Sequence, residues 1–189
     1  DKYVYRFGGE KAEGDVSMKP ILGGKGAGLA EMCNLGLPVP PGFTITTTAC
    51  THFFQHKEQW PDSLWEESIA GLNAVEEHTG KKFGDADNPL LVSVRSGAPV
   101  SMPGMMDTVL NLGLNDITVE GLAKRSGNVR FAWDSYRRFI TMFGDVVLGI
   151  HYTRFARVVD QIRQGREESE LSVDELKTLV GELKSVVAD

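Results

Sequence analysis

The period of apolar and polar positions changes along this chain, and the changes predict its elements. Tyr3, Tyr5 and Phe7 alternate onto one face, the period of two that marks a short strand. From Gly26 onward Leu29, Met32 and Cys33 fall at helical spacing and Gly36 supplies a stop, which predicts a short helix starting directly on a glycine cluster. The Leu-Pro-Val-Pro-Pro-Gly run at 37–42 cannot be helical, because proline fixes φ and removes a donor. The chain therefore runs extended into a strand through Phe43 and Ile45. Thr46, Thr47 and Thr48 offer N-caps to a helix through Phe53 and Phe54, and Trp65, Ile69, Leu72 and Val75 trace a longer helix ending at Gly80. Leu90-Leu91-Val92-Ser93-Val94 is the most strand-like run, apolar enough to be buried on both faces of a sheet, and it ends on Arg95.

Beyond about Leu114 only helical periods remain. Val129, Ala132, Trp133, Tyr136, Ile140 and Phe143 trace one stripe, and Phe155, Val158, Val159 and Ile162 another. The last helix opens on a capping box, Ser172-Val173-Asp174-Glu175, and turns Leu176, Leu179, Leu183 and Val186 inward. The expected division is an α/β part at 1–113 and a helical part at 114–189, an α+β chain without internal repeats. The acids Glu167, Glu168, Glu170, Asp174 and Glu175 read as a solvated helix start favoured by its dipole, with a docking surface as the alternative.

Composition narrows the class. At 189 residues, 41% hydrophobic, 24% charged and 8% aromatic, the chain has the balance of a packed soluble protein, which excludes disorder as its main state. A net charge of -6 argues against nucleic acid or an anionic membrane as partner, since either is met by a basic excess; a local basic pocket stays open. No apolar run reaches the roughly 20 residues that span a bilayer, and Asp1-Lys2-Tyr3 opens no signal-peptide core, so the chain is expected to be soluble and intracellular. Cys33 and Cys50 lie in apolar-looking segments and are expected to be buried free thiols.

Three segments carry candidate chemistry. Gly23-Gly24-Lys25-Gly26-Ala27-Gly28 precedes a helical pattern, so backbone N–H groups can approach an anion while lysine adds a mobile charge. It is not a Walker A loop, because Gly26 stands where that motif needs Ser or Thr, and a tight turn with an exposed lysine explains the same residues equally well. Arg95 closes a strand, where open α/β sheets bind ligands and where a guanidinium grips phosphate bidentately; pairing with a carboxylate is the competing role. Residues 98–108 contain Pro99, Met102, Pro103, Gly104, Met105 and Met106, a composition that forbids regular structure and suits a soft flap over a nucleobase or partner, although methionine is also a core filler. Arg137 and Arg138 lie beside an aromatic stripe, so that one of them projects from a rigid helix to bind an anion or bridge lobes. His52, His56, His78 and His151 show no nucleophile arrangement, and no metal site is expected.

With those residues in order, the chain resembles the pyruvate, phosphate dikinase family. Ile21-Leu22-Gly23-Gly24-Lys25-Gly26-Ala27-Gly28-Leu29-Ala30-Glu31-Met32 is similar to the family's glycine-lysine segment, and Pro41-Gly42-Phe43-Thr44, residues 91–97, 101–113 and 131–139 follow as in the family's N-terminal nucleotide-binding region. The stretch SMPGMMDTVLNLGLN is the most specific of them and separates this family from phosphoenolpyruvate synthases. The resemblance thins beyond Ile150, and Pro99-Val100 departs from the small or basic residues expected there. It implies an ATP-grasp N-terminal lobe, a small mixed sheet with helices, followed by a helical subdomain. It also implies ATP between two lobes, with Lys25 and Arg95 as the catalytic cations neutralising triphosphate charge. Gly24, Gly26, Ser96, Gly104, Met106, Asp107, Thr108 and Arg138 are the implied nucleotide-binding residues.

The family's reaction converts ATP, phosphate and pyruvate to AMP, pyrophosphate and phosphoenolpyruvate through a phosphohistidine. That histidine, the second lobe with its magnesium-holding acids and the pyruvate-binding barrel would lie outside this chain. The implied partners are ATP, phosphate and the missing C-terminal domains, with a homodimer as the full-length form. The alternative is a stand-alone nucleotide-binding or regulatory module, in which case the natural polypeptide stops near Asp189 rather than continuing.

Overall fold

The structure is a computed structural model and describes residues 1–9, 11–97 and 107–188. The chain forms two compact units, one built on Asp1–Gly80 with Ser96 and Gly97, and the other on Lys81–Arg95 with Asp107–Asp189. Both are mixed α+β. Among the described residues four strands pair as two separate two-stranded antiparallel sheets.

In the first unit β1 (Val4–Phe7) pairs with β2 (Gly42–Ile45), Val4 opposite Ile45 and Phe7 opposite Gly42. The aromatic face of β1 is only half-buried; it is Val4, on the other face, that is buried, against Ala49 and Leu64. Between the strands lies α1 (Lys19–Asn34), with Pro20 in its first turn where a missing N–H costs nothing. The span is two helical stretches joined at Gly23, whose φ of 68° only glycine adopts freely, so the second stretch starts on the glycine cluster as the sequence predicts. Leu22, Ala27 and Ala30 form a small inner face. The helix α2 (Thr47–Gln55) is capped by Thr46, whose hydroxyl accepts from the Ala49 N–H. A longer helix, α3 (Leu64–Thr79), ends on left-handed Gly80 as the sequence predicts. Glu67 on α3 accepts from the N–H groups of Tyr3 and Val4, fastening the sheet's free end. Cys33 is buried but Cys50 is exposed, because Ala49 takes the inward position on α2 and the next residue turns about 100° away.

In the second unit β3 (Val92–Arg95) pairs with β4 (Thr108–Leu112) through a register shift between Val92 and Val94. The run expected to be buried on both faces is not. Leu90 is buried, but Val94 is 49% exposed, since one antiparallel partner and the helix behind it cover a single face. Four helices follow: α4 (Thr118–Ser126), α5 (Val129–Val146), α6 (Tyr152–Arg163) and α7 (Val173–Ala188). Their stripes meet in one core, in which Phe155, Leu171, Leu176, Leu179 and Leu183 are at most 1% exposed. The Ser172–Glu175 capping box forms, each residue's side chain accepting from the other's N–H. Tyr136 donates to Asp116, which also binds Lys184 and so ties α5 to α7. Burial, then that carboxylate, holds the Tyr136 phenol well above its usual range.

Candidate functional site

Lys25 stands two residues after the kink of α1. Gly23, with ψ at 173°, interrupts the helical path, so Gly24, Lys25 and Gly26 form the first turn of a fresh helical stretch, where N–H groups are the ones an anion can approach. Gly26 has a packing reason of its own: a Cβ there would lie 2.8 Å from the Thr44 methyl and 2.9 Å from its hydroxyl. Gly28, in contrast, faces open space. With Gly26 and Ala27 buried against the sheet, Lys25 is exposed, and it has no hydrogen-bond or ion-pair partner among the described residues. A lysine with no carboxylate partner among the described residues is available to an anion.

Arg95 ends β3 opposite Thr108, the first residue of β4. The antiparallel pairing therefore gathers Arg95, Asp107 and Thr108 at one end of the hairpin, all exposed except half-buried Thr108, and Ser96, grouped with the first unit, is exposed. Arg95 too has no ion-pair partner among the described residues. Gly104 and Met106, with the rest of 98–106, lie outside the described residues.

On α5 the two arginines separate. Arg137 is 5% exposed, donating to Asp134 at 2.8 Å and to Glu168, whereas Arg138 is exposed and pairs with the other oxygen of Asp134 at 3.0 Å. Arg137 is thus structural. Arg138 lies one turn from Met142, whose sulfur accepts from the Leu110 N–H of β4. Asp134, which holds both arginines, went unnoticed in the sequence. Its spacing of three and four residues before them was the available signal.

Lys25 belongs to the first unit, and Arg95, Thr108 and Arg138 to the second. Within the second unit a cavity of about 230 Å³ is lined by Lys81, Pro89, Leu91, Leu122, Arg125 and Ser126, none of them an expected site residue. Among the described residues no group of three or more His, Cys, Asp or Glu side chains is placed to hold one metal ion, and no helix is long and apolar enough to cross a membrane.

Comparison with known proteins adds a lineage. Residues 19–69 match the family model described as pyruvate phosphate dikinase, AMP/ATP-binding domain. The chain is 50% identical over 188 residues to the pyruvate, phosphate dikinase of Clostridium symbiosum, and 51% identical over 191 to that of Rhizobium meliloti (strain 1021). It is 52% identical over 188 residues to the chloroplastic pyruvate, phosphate dikinase of Mesembryanthemum crystallinum. These alignments cover 98%, 100% and 98% of this chain but 21%, 21% and 20% of the relatives, so the chain spans about a fifth of their length.

Proposed function

We propose, for a chain that belongs by sequence to the pyruvate, phosphate dikinase family, that it forms the N-terminal part of the ATP-binding region of such an enzyme and supplies one side of its nucleotide site. The observation that carries this reading is the pairing of half-identity along the whole chain with two exposed cations that have no ion-pair partner among the described residues, Lys25 and Arg95, at positions the family resemblance marks. The Lys25 ammonium, beside the first-turn N–H groups of Gly24 and Gly26, would take phosphate oxygens at one end of the triphosphate. The Arg95 guanidinium, with Asp107 and Thr108 at the open end of the hairpin and Ser96 next in sequence, would grip others bidentately. Arg138 would add a third cation, fixed in aim by Asp134. Gly104 and Met106 complete the proposed set. Fixed positive charge facing a transferring phosphoryl group lowers the barrier because it needs no reorganisation as charge develops.

The parent reaction, ATP with phosphate and pyruvate to AMP, pyrophosphate and phosphoenolpyruvate, would run through a histidine beyond this chain. Magnesium would be held by acids beyond it too, as the family resemblance implies. The same proposal gives the full-length protein as a homodimer, its remaining domains as this chain's partners, and an intracellular setting. The test uses the full-length enzyme carrying Lys25→Ala or Arg95→Ala, with nucleotide affinity by calorimetry and turnover by phosphoenolpyruvate formation. Loss of both by at least about tenfold, or ~1.4 kcal/mol, supports the assignment. Unchanged affinity and turnover in both variants would sink it.

A further inference from the structure

The two arginines of α5 are joined through one carboxylate, and that carboxylate is anchored from a turn thirty residues further along the chain. Asp134 precedes Arg137 by three residues and Arg138 by four, the two spacings at which side chains on a helix meet. Its Oδ1 accepts from the Arg137 Nε at 2.8 Å, and its Oδ2 lies 3.0 Å from the Arg138 Nε. At its other end Arg137 donates through Nη2 to the Glu168 carboxylate. Glu168 opens the short turn Glu168–Glu170 that leads towards α7. Arg130, two turns before Arg137, holds that turn by its backbone, its Nε donating to the Leu171 carbonyl at 2.9 Å and its Nη2 to the Glu168 carbonyl at 2.8 Å. Charges therefore alternate along one series, Glu168, Arg137, Asp134 and Arg138, which runs from a clamped turn out to an exposed guanidinium.

Burial gives this series a direction. An isolated, exposed ion pair four residues apart on a helix leaves its arginine free to swing, because the Coulomb gain in water scarcely exceeds the entropy lost in ordering two long side chains. Here the aspartate is already ordered. Arg137 is buried, and a buried guanidinium that lost its acceptor would be left with an unsatisfied donor, so the Asp134 rotamer is fixed from the inner side. Only Arg138 remains to be placed. It shares a stripe of α5 with Met142, whose sulfur accepts from the Leu110 N–H of β4, and β4 begins at Thr108, the partner of Arg95. One member of the acidic cluster at 167–175 is thus engaged inward on α5 rather than solvated.

We infer that Asp134 is a positioning residue of the nucleotide site: it acts on ATP only through Arg138, whose guanidinium it aims, with Arg137 and Glu168 as its anchor. This rests on the reading of Arg138 as a phosphate-binding cation. The test is a double-variant cycle in the full-length enzyme, reading ATP affinity by calorimetry, KM for ATP and kcat for phosphoenolpyruvate formation, with the Tm of each variant. Asp134→Asn keeps one acceptor oxygen, which the buried Arg137 requires, and turns the other into an amide that cannot accept, so that Arg138 alone loses its partner. The expected result is an ATP affinity and a kcat/KM about three- to tenfold lower. In the Arg138→Gln background the same substitution should change either by less than about twofold, because both act through one guanidinium. Glu168→Ala, one link further back, should lower ATP affinity by about threefold and likewise do nothing further once Arg138 is replaced. Should Asp134→Asn fail to fold, the Glu168→Ala cycle decides. A loss with Arg138→Gln but none with Asp134→Asn overturns the inference and leaves the nucleotide reading standing. Losses that multiply in the double variant, or a lowered Tm with unchanged ATP affinity, overturn it as well, since they mark a purely structural aspartate. An Arg138→Gln enzyme with unchanged affinity and turnover removes Arg138 from the nucleotide site and this inference with it.

Discussion

The two units hold themselves together by different means. The second has one continuous core in which α4, α5, α6 and α7 contribute interlocking aliphatic side chains, several of them wholly sequestered. The first has two small clusters, Val4 with Ala49 and Leu64, and Leu22 with Ala27 and Ala30, while Phe54, Trp60 and Trp65 are 72%, 59% and 75% exposed. Its cohesion comes from close backbone approach at Gly26 and Gly42 and from fasteners such as Glu67. Hydrophobic stabilisation scales with the apolar area removed from water, so the helical unit is the thermodynamic anchor and the Lys25 unit is the softer support.

That difference can be broken most directly in the cores. Leu179→Ala should cost about 2–5 kcal/mol, and Leu64→Ala, in a thinner cluster better able to collapse, no more than about 2 kcal/mol, both by chemical denaturation. Equal losses would end the comparison. Removing the buried guanidinium with Arg137→Met should cost about 1–3 kcal/mol, because Asp134 loses a partner while only 17% exposed, whereas Arg138→Met should change stability by less than about 1 kcal/mol. Two glycines on α1 sharpen the picture of the first unit. Gly26→Ala should destabilise by about 1 kcal/mol after its gain in helix propensity, as the Thr44 side chain must move, and Gly28→Ala should stabilise by about 0.5–1 kcal/mol. Thermal unfolding reads both.

The smallest effect expected is one of pH. Glu13 in the first unit is pushed up by its partial burial but more strongly down by hydrogen bonds and charge from Arg6 and Lys2, reaching about 2 from an ordinary 4.5. A depressed carboxyl contributes stability that is complete above about 4.5 and is lost as pH falls toward 2. Solvent screening limits this to about 1 kcal/mol. Glu175 in the second unit is held at about 2 by Arg166 and Ser172 and has the same sign, from a partly exposed pair. Denaturation midpoints measured between pH 5 and pH 2 should therefore fall more in Glu13-intact protein than in Glu13→Gln, and a parallel fall would remove Glu13 from the account.

Local signals were the legible ones. The Thr46 cap, the left-handed Gly80 stop, the Ser172–Glu175 box and the stripes of α5 to α7 all formed as written, because each depends on residues within a turn or two of one another. Two features depended on what packs from elsewhere. Val94 is exposed because its sheet has two strands, and Cys50 because Ala49 outcompetes it for the inner position. The site was legible in kind rather than in detail. Arg95 and Lys25 stood out as chemistry, but sequence could not tell Arg137 from Arg138, since only Glu168 and Asp134 decide which guanidinium is buried.

By itself, then, the sequence determined the lineage, the helices and their caps, and the residue types available to an anion, because these are recorded in local order. Tertiary structure decided which of those residues stay unsatisfied. Lys25 and Arg95 keep their charge exposed and Arg137 does not. Whether a polar group is spent on the fold or left for a ligand depends on its partners in space, and partners distant in sequence become neighbours only on folding.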